Sequence, residues 1–275
     1  MKIRKRDVFL SMMPGASVTS KIIVFNVSVF ILSFFVKDIF NYVALVPGLI
    51  VQGKNLWTIL TSMFVHAGFA HLFFNMISLF FVGTFIERII GKKRFFWFYM
   101  ISGIIAGLFF ALLSGFFGFG LGEKIFGNPD IGGVGASGAI FGLVGLIAVL
   151  TPRNRVYLIV GPLIAIIFQS ILGIIFPDSS IVGMISLLIT VYIFFSIFAM
   201  FSFDRRMRKA ALPVEMPFWL LPIVAIVPLV VIGMFFTLPI GNMAHLGGLV
   251  TGLVYGVYLR RKYSKKVKML DRMFR

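Results

Sequence analysis

The sequence predicts an all-α membrane protein, a polytopic helical bundle with about eight transmembrane helices. Of its 275 residues, 60% are hydrophobic and only 13% are charged, about half the charged share of a soluble protein. The mean hydropathy is +1.05, so the apolar surface exceeds what one core could bury. No period-two alternation is seen, and unpaired sheet edges are not tolerated in lipid. We therefore expect helices and no strands.

Eight stretches are apolar enough for a spanning helix, which needs roughly 20 residues to cross the hydrocarbon core. The first follows the basic residues Lys2 to Arg6 without a small-residue cleavage site, which indicates a retained helix rather than a signal peptide. The stretches are about 21–36, 67–90, 95–115, 136–151, 156–176, 181–203, 217–236 and 242–259.

The basic residues are distributed unevenly between the two sets of alternating loops. Of the 26 Lys and Arg residues, 23 fall in the set that contains both termini, and the other set holds only Lys37, Lys54 and Lys124. The positive-inside rule therefore predicts a multi-pass protein of the cell membrane with both termini in the cytoplasm. The net charge of +17 does not predict nucleic acid binding, because the charges lie between apolar stretches.

Three regions follow from this pattern. Residues 1–20 are expected to form a basic cytoplasmic tail, 21–260 the transmembrane domain, and 261–275 a second basic tail. The second tail is expected either to contact anionic lipid headgroups or to be a solvated stop-transfer segment. Neither tail is long enough to bury a core of its own.

The polar residues inside the predicted spans are candidates for function, because burying them in lipid is costly. His66, His71, Asn75, Ser137 and His245 all lie near the outer end of their helices. At 1.5 Å per residue they would share a depth of roughly 5–15 Å below the outer surface. Asn75 is four residues after His71, so both point the same way on a helix, whereas His66 is expected off that face.

Ser137 follows a glycine-rich segment, residues 132–135, and directly precedes an apolar run. Glycines allow an irregular approach of the chain, and a helix that starts at the serine has unpaired N–H groups near its hydroxyl. Those donors could stabilise an oxyanion formed when the serine attacks a carbonyl. The alternative is a close helix packing interface, since Gly138 and Gly142 are four residues apart.

His245 begins a stripe of small residues. Gly248 and Gly252 follow it at +3 and +7 and lie on the same helix face, which would let another backbone approach closely. If this face packs on the glycines after Ser137, the histidine comes within reach of the serine. Glu87, the one acidic residue clearly inside a span, lies at the opposite end, so a Ser-His dyad without a carboxylate is expected.

These residues carry a resemblance to the rhomboid intramembrane serine proteases, over about residues 20–155 and 215–260. Trp57, Gly83 and Glu87 extend the resemblance. The motifs are His66-x4-His71-x3-Asn75, Gly135-x-Ser137-Gly138 and Ala244-His245-x2-Gly248-x3-Gly252.

The resemblance implies a serine endopeptidase that cleaves transmembrane proteins without a cofactor or a metal. Ser137 would be the nucleophile and His245 the base, and His71 and Asn75 would complete the oxyanion hole. Structural roles near the site are implied for His66, which would bond the loop between the first two helices, and for Phe141, which would pack on the His245 ring. The same applies to Trp57, Gly135, Gly138, Gly248 and Gly252.

The chain departs from the family pattern in three places. Thr58 follows Trp57 where the family often has Arg, and Phe141 stands where Tyr is common. The family's basic fold has six helices, with one helix between the serine and histidine helices, whereas three are predicted here. An extra hairpin is therefore expected somewhere in 156–236, with either helix pair as the addition.

Other functions fit parts of the pattern. A non-enzymatic rhomboid-like protein that binds membrane clients usually lacks the serine or the histidine. A polytopic transporter would be built from related halves, and no internal repeat is evident. A zinc protease or metal carrier would use the three histidines, but the sequence contains no His-Glu-x2-His and no cysteine.

Overall fold

The computed structural model describes residues 17–36, 38–200, 204–235 and 241–273. The basic residues Lys2 to Arg6, which enter the prediction of a cytoplasmic tail, lie outside this range. So do Lys37 and Arg275.

Within the described residues, fourteen α-helices and two short strands succeed one another along the chain. Their order and bounds are α1 (Val18–Ser33), α2 (Ile39–Val43), α3 (Pro47–Val51), α4 (Thr58–Thr61), α5 (Phe69–Ile90), α6 (Lys92–Phe117), α7 (Glu123–Phe126), α8 (Ser137–Leu150), β1 (Arg155–Ile159), α9 (Val160–Ile175), α10 (Ser180–Met200), α11 (Arg205–Ala210), β2 (Pro213–Pro217), α12 (Leu221–Phe235), α13 (Asn242–Lys262) and α14 (Ser264–Met273).

Each of the eight predicted apolar stretches overlaps one of these helices, with ends that differ by up to a few residues. In the part of the chain that the structure describes, α5, α6 and α10 are long and apolar enough to cross a membrane, and α1, α8 and the segment Phe218–Val231 are shorter apolar helices. The prediction of a polytopic helical membrane protein is confirmed. Helix α5 contains a π-helical turn at Leu79–Gly83, and α12 contains Pro228 in its interior.

The prediction that the chain has no strands is wrong. Strands β1 and β2 form an antiparallel pair in which Arg155 lies opposite Pro217 and Ile159 opposite Pro213. The exposed side chains of Arg155 and Glu215 form an ion pair at 3.0 Å across this ribbon. Both strands border basic loop segments, where water can satisfy the outer backbone groups that lipid could not. The fifth apolar helix accordingly begins at Val160 rather than 156.

The segment between α1 and α5 contains three short helices that were not predicted. Two hydrogen bonds join the later part of this segment to α2. The Trp57 indole N–H donates to Tyr42 O at 2.9 Å, and the Thr61 hydroxyl donates to Val43 O at 3.1 Å. An antiparallel bridge between Leu45 and Gly133 then ties it to the glycine-rich segment before α8. The loop therefore supports the backbone that leads to Ser137.

The chain divides into two compact units. One comprises the residues up to Pro152 and those from Trp219 onward, and the other comprises Arg153–Phe218, with the helices α9, α10 and α11 and the two-stranded sheet. In the first unit α8 packs against α13 and α6, and α12 contacts α7, α8 and α13.

Glu87 fixes the far end of α5 against the start of α1. Its buried carboxylate accepts hydrogen bonds from the Val18 N–H at 2.9 Å, the Thr19 N–H at 2.8 Å and the Thr19 hydroxyl at 2.7 Å. Free N–H groups at a helix start attract an anionic cap. The acidic residue within the spans is therefore a structural cap, far in sequence from Ser137.

Candidate active site

Ser137 is the first residue of α8, and the glycine-rich segment sets its position. Gly135 has φ +125°, a conformation that side-chain-bearing residues rarely adopt, and its N–H donates to Ser62 O at 2.8 Å. A Cβ at Gly135 would lie 2.8 Å from the His71 ring. The glycine is needed both for the turn into the helix and for the close approach of that ring.

His245 meets Ser137 across the α8–α13 interface. The distance between His245 Nε2 and Ser137 Oγ is 2.9 Å, a hydrogen bond of ordinary length. The His245 side chain is buried, and the Phe141 ring stacks on it with a centroid separation of 4.2 Å and an interplanar angle of 10°. One face of the imidazole is thus covered, and the ring is held with one nitrogen towards the serine.

Backbone contacts between glycines bring these two helices together. A Cβ at Gly248 would collide with Gly138 O, and one at Gly252 would collide with Gly142 O. The stripe predicted on α13 therefore packs directly on the backbone of α8. This close approach is what allows a histidine three residues before Gly248 to reach Ser137.

His71 and Asn75 lie one helical turn apart on α5. The His71 ring lines the cavity in front of the serine, whereas Asn75 is buried, at 6% exposure. The Asn75 side-chain NH₂ donates to His71 O at 2.8 Å. An amide nitrogen carries two hydrogens, so this bond uses one donor and leaves the second.

His66 lies closer to His71 than helical spacing predicts. Helix α5 begins at Phe69, so His66 belongs to the preceding loop and the face argument does not apply to it. The two imidazoles meet edge to face, with centroids 5.1 Å apart. His66 is fully buried, and its Nε2 accepts a long hydrogen bond from the Ala136 N–H, with 3.5 Å between the two nitrogens. This contact helps to fix the backbone of the residue before Ser137.

A cavity of about 470 Å³ opens onto the serine. Its wall includes Ser137, His71 and His245, together with small residues from α6 that the sequence analysis did not single out. Those residues are Gly103, Ala106 and Gly107. Their spacing of three and one residues on a single helix face could have identified α6 as the third wall, since Ala106 also faces Gly138.

The polar groups around the histidine are few. Among the described residues, His245 Nδ1 has no hydrogen-bond partner, so no carboxylate is seen to orient the ring. Within the same residues no group of three His, Cys, Asp or Glu side chains could hold a metal ion. The ring is positioned instead by Phe141 and the packing of α13. Such a pair can transfer a proton from the serine hydroxyl to the imidazole.

Comparisons with known proteins identify relatives. A family model described as the Rhomboid domain matches residues 53–194 and 163–262, two overlapping matches that together span 53–262. The putative rhomboid protease YdcA of Bacillus subtilis (strain 168) is 40% identical over 103 residues, which cover 35% of the chain and 45% of that protein. The rhomboid protease GluP of the same organism is 36% identical over 107 residues, which cover 39% of the chain and 18% of that protein.

A third relative is described differently. The inactive RHOMBOID-like protein 8 of Arabidopsis thaliana is 31% identical over 105 residues, which cover 38% of the chain and 26% of that protein. The chain spans less than half the length of each of these three relatives.

Proposed function

This chain belongs to the rhomboid family, and on that premise we propose that it is an intramembrane serine endopeptidase with a Ser137–His245 dyad. The observation that supports this most strongly is the 2.9 Å contact between His245 Nε2 and Ser137 Oγ. A nucleophile and a base at hydrogen-bond distance, in front of a cavity, are the minimum that acyl transfer requires.

In the first step Ser137 attacks the peptide carbonyl carbon. Its hydroxyl proton passes to His245 Nε2 as the Oγ–C bond forms and the carbonyl oxygen becomes an oxyanion. Nε2 must be unprotonated to accept the proton, so the neutral imidazole carries its hydrogen on Nδ1. Phe141, which stacks on the ring, holds it in this orientation without a carboxylate.

We assign three donors to the oxyanion. The backbone N–H of Ser137 lies at the start of α8, where N–H groups have no acceptor within the helix. The His71 ring reaches the same cavity, and Asn75 retains one amide hydrogen beyond the bond to His71 O. Donors aimed at a developing negative charge supply much of the rate enhancement in acyl transfer.

The intermediate then collapses. The protonated His245 gives its proton to the peptide nitrogen as the C–N bond breaks, which leaves an acyl group on Ser137. Water from the cavity attacks this ester, and the same imidazole takes up and returns the proton. His66, which contacts the His71 ring and Ala136, positions the donors and takes no part in proton transfer.

The substrates we assign are transmembrane proteins cut in or near their spans. The distribution of Lys and Arg predicts a cell membrane protein with both termini in the cytoplasm. In that orientation the serine lies towards the outer side of the membrane. Water then needs to travel only a short way into the membrane. Helical segments with small residues would unwind most readily into the cavity.

We assign the additional hairpin to α9 and α10. Helix α12 belongs to the same compact unit as α8 and α13 and contacts both of them, as the single helix between serine and histidine would. The transmembrane domain then retains the extent expected from the sequence, 21–260, with the basic tails 1–20 and 261–275 on either side.

The proposal is tested by labelling the purified full-length chain with a fluorophosphonate probe, alongside cleavage of a model transmembrane substrate. We expect labelling and cleavage in the wild type and neither in Ser137→Ala. His245→Ala should lose cleavage by at least about 10³-fold. Ser28→Ala, at an exposed position of α1, is the matched control and should behave as the wild type.

The second candidate is a non-enzymatic client-binding member of the family, which the relationship to an inactive protein keeps open. It predicts that the wild type is never labelled and still captures a transmembrane substrate, with no dependence on Ser137. Chelators should not change cleavage under the dyad mechanism, and inhibition by them would favour a metal-dependent reaction instead.

A further inference from the structure

A second cavity lies at the other end of the α8–α13 pair. It has a volume of about 400 Å³, and its lining comes from the last turns of α8 and α13 and from α14. Val149 is 12 residues beyond Ser137 and Arg260 is 15 beyond His245, which places this cavity about 18–22 Å from the dyad. It is therefore separate from the proposed active site.

The lining combines an apolar floor with a basic rim. Val149, Leu150, Pro152, Val257 and Val267 provide the apolar surface. Leu150 and Val267 are buried, whereas Val257 is 41% exposed. A water-filled anion site would not need such a floor. An occupant that brings an apolar part would bury it here.

The rim carries three cations and one hydroxyl, on Arg260, Arg261, Lys268 and Ser264. Arg260 already donates one N–H to Val149 O at 3.3 Å, and its guanidinium has further donors. Among the side chains that the structure describes, no carboxylate lines this cavity or pairs with these cations. Among the described side chains, the positive charge at the rim is not balanced by a carboxylate, and it fits an anionic group.

Two neighbouring features strengthen the site. Helix α14 begins at Ser264, so its first N–H groups and its positive dipole end lie at the rim. Arg260 and Arg261 lie in the last turn of α13, and Lys268 lies in α14, which follows it. Basic residues at the cytoplasmic end of a spanning helix are expected near lipid headgroups. Basic residues just beyond a transmembrane helix are the usual ligands of phosphate groups in anionic lipids.

We propose that this cavity, lined by α8, α13 and α14, binds one anionic phospholipid. The phosphate would lie between Arg260, Arg261 and Lys268 near Ser264, and the start of an acyl chain would contact Val257 and Val149. This assigns a specific site to the basic tail, which the sequence analysis left as either lipid-binding or merely solvated. It does not depend on the proposed protease activity.

The test is a lipid titration of the purified full-length chain in neutral detergent, followed by native mass spectrometry. The probes are palmitoyl-oleoyl phosphatidylglycerol and palmitoyl-oleoyl phosphatidylcholine. We expect one phosphatidylglycerol to bind at least about tenfold more tightly than phosphatidylcholine, since each cation near an anionic headgroup adds about fivefold. Equal binding of the two lipids would overturn the proposal.

Ser264→Glu places a negative charge in the rim at an exposed helix start, where an acidic residue favours the helix. It should weaken phosphatidylglycerol binding about fivefold or more. The matched control is Lys265→Gln, which changes the net charge by the same amount on the next residue, outside the lining. It should change binding less than about twofold; equal losses in both variants would indicate unspecific attraction and overturn the site.

Three further arms complete the experiment. Arg260→Gln/Arg261→Gln/Lys268→Gln should lose at least about tenfold in affinity, with unchanged helical circular dichroism. Lys92→Gln/Lys93→Gln/Lys265→Gln, with equal charge loss, should keep it. Inorganic phosphate at millimolar concentration should not displace the lipid, and displacement would assign the site to free phosphate. Ser137→Ala should bind the lipid like the wild type, so failure of the protease proposal leaves this result unaffected.

Discussion

Helices α8 and α10 are both mostly apolar, but they are packed in opposite ways. Helix α8 buries ten of its fourteen residues, whereas α10 buries four of its twenty-one. The difference lies in residue size: α8 presents glycines on which the backbone of α13 rests, and α10 presents large side chains such as Leu187 and Leu188, 65% and 69% exposed. Hydrophobicity marks both as membrane helices, and only the small residues mark the one that carries the site.

This contrast has a physical basis. In lipid, large apolar side chains gain little by leaving the membrane for a helix interface, so close association relies on van der Waals contact between smooth surfaces. The proposed dyad joins atoms of two helices at 2.9 Å, which requires that close contact. A helix that only spans the membrane has no such requirement. Substitutions should therefore have large effects at the α8–α13 interface and small effects in α10.

Apart from Ser137 and His245 themselves, the largest effect is expected for Asn75, a donor of the proposed oxyanion hole. Asn75→Ala should lower kcat about 10²–10³-fold, because it removes an oxyanion donor, with little change in KM. The measurement is steady-state cleavage of a transmembrane substrate in liposomes.

Asn26→Ala is the matched control for this prediction. Asn26 makes the same kind of bond, from its NH₂ to the carbonyl four residues earlier, at the same 2.8 Å, but in α1. It should leave kcat unchanged. An equal loss in both variants would mean that Asn75 acts only through its helix, and the oxyanion assignment would be wrong.

The second effect concerns the packing itself. Gly252→Ala should lower the free energy of unfolding by about 1–3 kcal/mol, because its methyl group meets the backbone at Gly142 O and lies 2.8 Å from Leu146 N. Backbone atoms cannot move aside as a flexible side chain can. Thermal unfolding in detergent measures the loss, and cleavage should fall with it as His245 moves from Ser137. An unchanged midpoint would show that the interface is looser than described.

The third effect tests how His245 is held. Phe141→Leu should reduce cleavage about five- to tenfold, since it removes a ring stacking contact of about 1 kcal/mol and leaves the imidazole free to rotate. Phe141→Tyr is the control, because it keeps the ring, and it should retain activity. If both variants lose activity equally, the space below the histidine matters rather than the stacking.

Much of the fold was predictable because lipid imposes a simple rule. A run of about 20 apolar residues must be a helix, so all eight apolar helices were located. The strand β1 was missed because Val156 to Ile159 continue the apolar run of α9 without a break. Hydropathy gives no sign of where the hydrocarbon ends. The pairing with β2, more than fifty residues later, is a long-range event that no local pattern encodes.

For the candidate site the sequence predicted which residues approach one another better than how each is held. Glycine spacing on α13 predicted the approach of His245 to Ser137, because helical geometry relates spacing to a face. The sequence-based prediction for His66 was wrong, because helical spacing was applied to a residue three positions before the helix begins. The sequence also could not show that Asn75 bonds the His71 carbonyl, because side-chain rotamers depend on tertiary contacts. The roles of these residues stay predictions until they are measured.

The smallest effect is expected in α10, with the same exchange as at Gly252. A Cβ at Gly183 would meet nothing within 4 Å, so Gly183→Ala adds helix propensity without a clash. We expect an unchanged or slightly higher free energy of unfolding, by at most about 1 kcal/mol, and unaltered cleavage. The two variants must be compared in the same detergent, because they share one chemical change and differ only in what the methyl group meets. A loss at Gly183 as large as at Gly252 would mean that this face of α10 is covered by a partner, and the contrast between the two helices would then disappear.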